Sequence, residues 1–365
     1  MRLLVVNAGS SSLKLSLLGD GDRLISERQL EMTRSRIEDA ETRRVLEAIG
    51  SVDAMGHRIV HGGSLFHEAV LVDDDIETQL GELGDLAPLH QAKSVEVLRL
   101  TRRVLPRTPA IACFDTAFHA DLPSAAATYA LPRAWRERFD LRRYGFHGLS
   151  HAYASRRAAE LLERPLRELR IVTCHLGAGA SLAAVQAGRS VDTTMGFTPL
   201  EGLVMATRSG SVDPGLLLWL LEHSGISERE MAGALEHESG LAALAGNPRM
   251  EAVLAAAETG EEDARLARDV YLHRLASGIA AMAAAMRGVD ALVFTGGVGE
   301  HAPEVRAGAA ERLGFLGVKI DLGRNATASE DADITGSEAP VRTLVIRARE
   351  DLEIARHVRQ LLEAD

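Results

Sequence analysis

Two distant stretches of this sequence repeat one pattern: a strand, a turn of small residues, an alternating strand and a second turn. They read LLVVNAGSSSLKLSLLGDG and IVTCHLGAGASLAAVQAGR. Laid over each other, they place Asn7 on His175 and Gly9 on Gly177. The repeat favours a fold made of two copies of one α/β unit, and a chance match between two short windows is the alternative.

The segments that follow each repeat also alternate between strands and helices. After the first, the pattern predicts a third antiparallel strand, a helix (IEDAETRRVLEAIG) closed by Gly50, a strand around DAMGHRIV, a helix from Pro88 and a strand that ends at Asp115. After the second, it predicts a helical block over roughly 213–286, the strand ALVFT, the glycine turn GGVGE, another helix, and a last strand and helix. This order is α/β, with helices added to the second copy.

Bulk composition limits the classes of function. The chain has 365 residues, 46% hydrophobic and 25% charged, which is enough for two domains with separate cores. Its formal net charge of -11 repels phosphate polymers, so nucleic acid is not expected as a partner. No stretch approaches the roughly 20 apolar residues of a membrane span, so no membrane association is expected. Cys113 and Cys174 each end an apolar run and are predicted to be reduced core thiols, which favours the cytoplasm.

Three turns rich in glycine or serine are candidate phosphate or nucleotide sites. NAGSSS, from Asn7, and HLGAGAS, from His175, would direct backbone N–H groups and hydroxyls into one concavity, which suits phosphate oxygens or waters around a hard cation. Neither is a Walker P-loop, and an ordinary serine-rich hairpin turn is the alternative. In FTGGVGEH, the residues Gly296, Gly297 and Gly299 would let the backbone approach a flat ring, although strand-to-helix turns use glycine in any case.

Charged and imidazole side chains stand at predicted strand and loop ends between these turns. They are Arg58, His61, Asp115, His147, His151, Arg208 and Asp213. Each alone is more often structural, since an arginine at a strand end usually has an ion-pair partner and a histidine beside aromatic residues usually belongs to the core. Together with three phosphate-sized turns, they indicate transfer of a phosphoryl group to a small acid.

Nine motifs, in order along nearly the whole chain, resemble those of the acetate kinase family. They are NAGSSSLK, GHRIVHGG, LAPLH, FDTAFH, YGFHGLSH, HLGAGAS, DTTMGFTPLEGLVMATRSGSVDPG, FTGGVGE and EDLEIAR. The resemblance implies the duplicated ribonuclease-H-like fold of actin-like ATPases, with two domains and a central nucleotide cleft. It implies an N-terminal domain at 1–119 plus 350–365, and a C-terminal domain with inserted helices, for nucleotide binding and dimerisation, at 120–349.

The same resemblance implies a cytoplasmic homodimer. Its reaction would be the reversible, direct in-line transfer of the γ-phosphoryl group of ATP to acetate, giving ADP and acetyl phosphate, with Mg²⁺ or Mn²⁺ as the cofactor.

Individual positions receive roles from the resemblance. The metal-binding residues would be Asn7 and Glu350. The residues at the nucleotide and its phosphates would be Ser10, Ser12, Lys14, His175, Gly177, Gly179, Gly296, Gly297 and Gly299. The catalytic residues would be Arg58, Asp115, His147 and Arg208, and the acyl pocket would consist of Arg58, Val60, Leu89, Phe146 and Pro199.

Elementary chemistry supports these roles. Phosphoryl transfer depends on positioning and charge neutralisation, which arginines such as Arg58 and Arg208 supply. A carboxylate is already a competent nucleophile near neutral pH, because its unperturbed pKa is about 4 to 5. No strong general base is required, so His147 is interpreted as a hydrogen-bond donor to the phosphoryl group in flight.

The sequence departs from the family pattern at three motif positions. Ala178 and His301 each stand where the family usually has Asn, and Gln91 replaces the Asn of HNP. Ala178 and His301 lie in motifs that face the nucleotide in the family, so these two changes concern which phosphoryl donor the protein uses. The alternatives are a propionate or butyrate kinase of the same family, a pyrophosphate-dependent acetate kinase, and a non-catalytic actin-like nucleotide switch. Val60 favours acetate over longer acids.

Overall fold

The structure, a computed structural model, describes residues 1–9, 12–31, 40–86 and 88–364. The chain divides into two compact units. The first comprises Met1–Ala120, Phe146–Tyr153 and Arg349–Asp365, and the second comprises Asp121–Gly145 and Ala154–Ala348. None of the described helices is long and apolar enough to cross a membrane.

Strands and helices alternate along both units. The strands are β1 (Leu3–Ala8), β2 (Ser12–Leu18), β3 (Leu24–Glu31), β4 (Ala54–Ile59), β5 (Val70–Leu71), β6 (Ala110–Phe114), β7 (Arg170–Leu176), β8 (Ala180–Gln186), β9 (Arg189–Thr193), β10 (Ala291–Thr295), β11 (Ala332–Asp333) and β12 (Arg342–Val345). The α-helices are α1 (Ala40–Ile49), α2 (Asp74–Glu82), α3 (Pro88–Val104), α4 (Ser124–Ala127), α5 (Arg133–Phe139), α6 (Gly148–Leu161), α7 (Pro214–His223), α8 (Glu228–His237), α9 (Gly240–Ala245), α10 (Met250–Thr259), α11 (Glu262–Ala285), α12 (Gly296–His301), α13 (Pro303–Arg312), α14 (Leu322–Thr327) and α15 (Glu350–Ala364).

The two units contain sheets of the same topology. The first sheet has the strand order β3-β2-β1-β4-β6-β5, and the second has the order β11-β12-β10-β7-β8-β9. In each, an antiparallel meander of three strands continues into two parallel strands, and a short antiparallel strand completes the far edge. The predicted duplication and the two-domain α/β fold class are therefore confirmed.

The sequence repeat matches the structure up to the turn and then shifts by one residue. Asn7 pairs with Lys14 across the first hairpin, and His175 pairs with Ser181 across the second. The first turn is therefore one residue longer than the second. Because side chains alternate between the faces of a strand, a superposition without a gap assigns the wrong counterparts after the turn.

Apolar residues on both faces of β1 explain why the first sheet is covered on both sides. Leu4 and Val6 pack in a cluster with residues of α1, α2 and α3, and Leu3 and Val5 pack in a second cluster with residues of α6 and α15. All four side chains are at most 1% exposed. A strand with no polar face is typical of the interior of a sheet between two helical layers.

Helix α11 is the core helix of the second unit. Its buried residues include Leu275 and Ile279, and an added Cβ on Gly278 would lie 2.8 Å from Leu182 Cδ1 of β8. This segment of the predicted helical block therefore belongs to the core of the second unit. Cys113 and Cys174 are buried and free, as predicted.

The predicted elements lie largely where the sequence pattern placed them, with one correction. The first predicted helix is observed over Ala40–Ile49 before Gly50, and its residues 37–39 lie outside the described part of the chain. GGVGE was predicted as a turn, but α12 begins directly at Gly296, whose φ is +78°. An added Cβ there would lie 2.8 Å from the Leu176 carbonyl oxygen, so only glycine lets the chain pass from strand to helix in one step.

Candidate active site

An ion pair joins the ends of two neighbouring parallel strands in the first unit. Arg58, on β4, donates from Nε to both carboxylate oxygens of Asp115 at 3.1 Å and from Nη2 to Oδ2 at 2.5 Å. Asp115 directly follows β6, and its side chain is 1% exposed, against 14% for Arg58. Although burial favours the neutral guanidine, the carboxylates of Asp115 and Glu350 raise the pKa of Arg58, which stays charged. The pair fixes one cation at the carboxyl edge of the sheet.

Asn7 and Glu350 complete this cluster. Asn7 Nδ2 donates to Glu350 Oε2 at 2.8 Å, and Arg58 Nη1 donates to Asn7 Oδ1 at 3.3 Å. Glu350 is the first residue of α15, and its Oε2 lies 3.8 Å from Arg58 Nε. The two residues predicted as metal ligands therefore meet at one point of the first unit.

Oxygen donors of this kind fit Mg²⁺. No group of three or more His, Cys, Asp or Glu side chains within the described ranges could hold a metal ion by itself. Mg²⁺ usually keeps several waters and binds through one or two carboxylates together with substrate phosphates. The Glu350 carboxylate and the Asn7 amide oxygen are donors of the type that such an ion takes from a protein.

The first hairpin brings its polar residues to the same sheet. Lys14 Nζ lies 3.0 Å from Glu27 Oε2 of β3, and both side chains are about two-fifths exposed. Ser12 begins β2, and its carbonyl accepts a hydrogen bond from the Gly9 N–H at 2.8 Å. Ser10, predicted to bind phosphate, lies outside the described residues.

His147 is held in the left-handed region of the backbone, with φ +56°, which is uncommon for a residue with a side chain. Its N–H donates to the Asp115 carboxylate, and the Gly148 N–H donates to the Asp115 carbonyl at 2.9 Å. His119 Nε2 donates to the Phe146 carbonyl at 3.1 Å, and burial lowers the pKa of His119 to about 4, so that its ring is neutral. Three consecutive residues are thus fastened beside the ion pair, and strained backbone of this kind marks functional sites.

The residues predicted for the acyl pocket fall in both units. Val60 and Phe146 belong to the first unit and are 5% and 1% exposed. The Phe146 ring lies edge-on to the His61 ring, with 5.4 Å between centroids. Pro199 belongs to the second unit, and the side chain of Leu89 lies outside the described residues.

Gln91, one of the three departures from the family pattern, has a structural task. Its side chain is fully buried. Its Oε1 accepts from the His61 N–H at 3.1 Å, and its Nε2 donates to the His61 carbonyl at 3.1 Å and the Leu80 carbonyl at 3.3 Å. Gln91 therefore fixes the backbone just after Val60, a role that the sequence did not indicate.

A cavity of about 880 Å³ in the second unit brings two of the glycine-rich elements together. Gly177, of the β7–β8 turn, and Gly297, of α12, both line it, and the turn is closed by a hydrogen bond from the Gly177 N–H to the Gly179 carbonyl at 2.9 Å. Ala178 and His301, two departures from the family pattern, also lie in its wall. Much of the remaining wall is apolar, with Leu241, Met250, Leu254, Val298 and Ala302.

His175, Gly296 and Gly299 do not line the cavity, although His175 lies at the end of β7, before the turn that lines it, and the two glycines belong to α12. His175 is half-buried and pairs in register with Thr295, the residue before Gly296. An added Cβ on Gly299 would lie 3.4 Å from the carbonyl carbon of Phe294, so α12 packs closely on the end of β10.

Two residues that the sequence did not single out hold α12 in place. Glu300 Oε1 accepts hydrogen bonds from the Gly296 and Ala348 N–H groups, both at 2.9 Å. Arg306, 1% exposed, donates to the Gly299 and Glu300 carbonyls, both at 2.8 Å. Arg306 also donates from Nε to Asn325 Oδ1 at 2.7 Å. Because most of its partners are backbone carbonyls, this buried arginine leaves no sequence signal.

Arg208 lies in a loop of the second unit, where Nη1 donates to the Pro199 carbonyl at 3.2 Å. Burial lowers the pKa of Arg208, and Glu236 opposes that shift. The loop that carries Pro199 is in turn bound by Tyr129 and Arg143, and both of these side chains bind Glu201. The sequence indicated none of the three.

Comparisons with known proteins agree with this chemistry. The model of the Acetokinase family matches residues 23–356. An acetate kinase of Synechococcus sp. (strain JA-2-3B'a(2-13)) is 44% identical over 405 residues, covering 100% of both chains. The crystal structure of Porphyromonas gingivalis acetate kinase has a TM-score of 0.90 at 32% identity and covers 99% of both chains. A propionate kinase from Francisella tularensis subsp. tularensis has a TM-score of 0.90 at 33% identity and covers 98% of both chains.

Proposed function

Since this chain belongs to the acetokinase family and is a phosphotransferase, we propose that its donor is ATP, its preferred acceptor is acetate, and its site residues act as follows. The reaction is reversible and gives ADP and acetyl phosphate. The observation that carries the residue assignment is the cluster at the strand ends of the first unit, where the Arg58–Asp115 pair meets Asn7, Glu350 and the strained backbone of His147. A nucleotide switch that transfers no phosphoryl group to an acid would not need the Arg58 guanidinium at this position.

Arg58 binds the acetate carboxylate, and Asp115 keeps its guanidinium in one orientation. An acetate oxygen attacks the γ-phosphorus in line, so that a new O–P bond forms while the bond to the ADP oxygen breaks. No proton has to move, because the nucleophile is already an anion. His147 donates a hydrogen bond to the phosphoryl oxygens, and Arg208 neutralises the charge that develops on them in flight.

A divalent ion is required by this chemistry, and Mg²⁺, with Mn²⁺ as a substitute, suits the oxygen donors of Glu350 and Asn7. When bound, the ion neutralises phosphate charge and orients the leaving group. Glu350 supplies the anionic anchor, and the hydrogen bond from Asn7 Nδ2 fixes the orientation of its carboxylate.

The cavity beside Gly177 and Gly297 accepts the adenosine part of ATP. Its volume of about 880 Å³ lies within the range of roughly 300 to 1,000 Å³ typical of small-molecule sites. Ser10, Ser12, Lys14, His175, Gly177 and Gly179 are assigned to the phosphates, and Gly296, Gly297 and Gly299 to the nucleoside. A cavity of this size supports ATP over pyrophosphate as the donor.

Helix α7 supports a homodimer. None of its residues is buried, and Leu216, Leu218 and Trp219 are 48%, 62% and 55% exposed. An exposed apolar helix of this kind is typical of a protein–protein interface. We therefore assign dimerisation, together with nucleotide binding, to the C-terminal domain at 120–349. The acid site is assigned to the N-terminal domain at 1–119 plus 350–365.

We assign the protein to the cytoplasm, because a reducing compartment suits its two free thiols.

The test is acyl hydroxamate formation by the purified full chain with ATP, Mg²⁺ and acetate, propionate or butyrate. We expect hydroxamate from acetate, less from propionate and little from butyrate. A parallel reaction with pyrophosphate in place of ATP should give no hydroxamate. A folded preparation that yields no hydroxamate with any acid overturns the proposal, and a higher kcat/KM with propionate than with acetate makes the protein a propionate kinase, like its Francisella relative.

A further inference from the structure

A tyrosine hydroxyl lies at the centre of a hydrogen-bond network in the second unit. Tyr129 Oη donates to Glu201 Oε2 at 2.6 Å and accepts from the Phe197 N–H at 2.8 Å. Glu201 Oε1 accepts from Arg143 Nη2 at 2.8 Å, and the Arg143 guanidinium lies over the Tyr129 ring, 5.5 Å from its centroid. Burial raises the pKa of Tyr129, as does Glu201, so the hydroxyl keeps its proton at any working pH.

The network forms hydrogen bonds with the loop at three positions and passes close over a fourth. Arg143 Nη1 donates to the Thr194 carbonyl at 3.2 Å and to the Met195 carbonyl at 3.1 Å, and Tyr129 holds the Phe197 N–H. At Gly196, an added Cβ would lie 1.7 Å from Glu201 Oε2 and 2.1 Å from Tyr129 Oη. The carboxylate and the hydroxyl therefore pass directly over residue 196, where only glycine leaves them room.

The far side of the same loop reaches Arg208. Pro199 stands two residues after Phe197, and its carbonyl accepts the hydrogen bond from Arg208 Nη1 at 3.2 Å. Both the orientation of that carbonyl and the position of the guanidinium depend on the course of residues 194–199. A loop tied by side chains from distant parts of the chain is pre-organised, and pre-organisation is what charge stabilisation in flight requires.

We propose that Tyr129 is a positioning residue: through Glu201 and the Phe197 N–H it sets the course of the 194–199 loop, and thereby the orientation of Arg208. This inference rests on the proposed function of Arg208. Tyr129 does not line the cavity assigned to the nucleoside, so its removal should weaken the chemical step without weakening nucleotide binding.

The test variant is Tyr129→Phe, which removes only the hydroxyl. It leaves the Phe197 N–H and Glu201 Oε2 each without this partner, and we expect kcat to fall about 10- to 100-fold while the KM for ATP changes less than threefold. Tyr144→Phe is the matched control, because the Tyr144 hydroxyl binds Asp140 and lies outside the network. Its kcat should change less than threefold.

A double-mutant cycle separates positioning from a general loss of stability. In an Arg208→Ala background, Tyr129→Phe should lower kcat less than threefold, because the group it orients is gone. Glu201→Gln perturbs the same network from its other side and should show the same coupling if Tyr129→Phe folds poorly. Equal losses in both backgrounds, or loss of ATP affinity in step with kcat, overturn the inference. If Arg208→Ala alone keeps full activity, the proposed function of Arg208 fails instead.

Discussion

The two copies of the α/β unit, copy one in the first unit and copy two in the second, carry different side chains at equivalent strand ends. At the end of the first strand, copy one has Asn7 and copy two has His175, and the neighbouring parallel strand carries Arg58 in copy one and Thr295 in copy two. Arg58 is locked to Asp115, whereas Thr295 is fully buried and its hydroxyl has no hydrogen-bond partner in the described part of the chain.

The β1–β2 turn and the β7–β8 turn also differ between the two copies. In copy one, Lys14 stands opposite Asn7 and lies against Glu27. In copy two, a shorter turn with two glycines opens onto the cavity of about 880 Å³. The strand ends and turn of copy one therefore carry charged side chains in fixed positions, whereas those of copy two border a cavity. In the proposed function, one topology serves both the reacting groups and the nucleoside, because strand ends converge at one edge whatever side chains they carry.

Arg208 is the clearest exception to this division, since it is a charge supplied by the second unit. We expect Arg208→Ala to lower kcat about 10³-fold or more, with the KM for ATP changed only a few fold, because the cation acts on charge that develops in flight. Arg208→Lys should restore little, since a point charge does not reproduce a planar guanidinium. Arg189→Ala, at an exposed position of β9, is the control. Parallel losses of ATP affinity and turnover would assign Arg208 to ground-state binding.

Removal of Glu350 tests whether the charge of copy one holds the metal. Glu350→Ala should raise the Mg²⁺ concentration needed for half-maximal activity about 10- to 100-fold, because the ion loses its carboxylate anchor. Asp351→Asn, on the next residue, should leave the requirement unchanged, since Asp351 binds Arg349 at 2.9 Å. An unaltered Mg²⁺ titration of Glu350→Ala would contradict the metal assignment.

The sequence predicts those features of the fold and of the site that depend on short, local residue patterns. Strand ends, small-residue turns and capping glycines leave short sequence patterns, so the prediction that Arg58 and Asp115 stand at strand ends is confirmed. Only the structure shows that these two residues meet Asn7 at one edge of the sheet. The one-residue difference between the turns leaves no such pattern, since serine and glycine fit either length. The Tyr129–Glu201 hydrogen bond joins residues 72 positions apart, and only the folded chain reveals it.

Acid should destabilise copy one through its buried histidines. Burial lowers the pKa of His57 to about 3 and that of His119 to about 4, and both residues lie in the first unit. The unfolded chain binds protons at these positions from its ordinary pKa near 6.5 downward while the folded chain does not, so stability present at pH 7 is lost as the pH falls. Between pH 7 and pH 5 each histidine should cost about 2 kcal/mol.

Urea unfolding at the two pH values measures this loss. Hydrogen exchange at pH 5 should show faster opening in residues 54–59 and 110–119 than at pH 7, after correction for the intrinsic rate. His57→Gln, which keeps a hydrogen-bond donor near Thr101 Oγ1, should reduce the pH dependence by about half. A variant with the full wild-type dependence would show that other groups carry the acid effect.

The smallest expected effect concerns Val60, an apolar residue of copy one assigned to the acyl pocket. Val60→Ala removes two methyl carbons from a side chain that is 5% exposed, so a general packing loss of about 2 kcal/mol is expected in either case. If Val60 also presses on the acyl tail, the longer acid gains room, and kcat/KM for propionate over acetate should rise by up to about 10-fold, the scale on which apolar pockets discriminate one methylene. Val72→Ala, equally buried in the same unit, controls for packing and should leave that ratio unchanged. Because a ratio cancels any loss of folded enzyme, a constant value in Val60→Ala would remove Val60 from the pocket and with it the main support for acetate over longer acids.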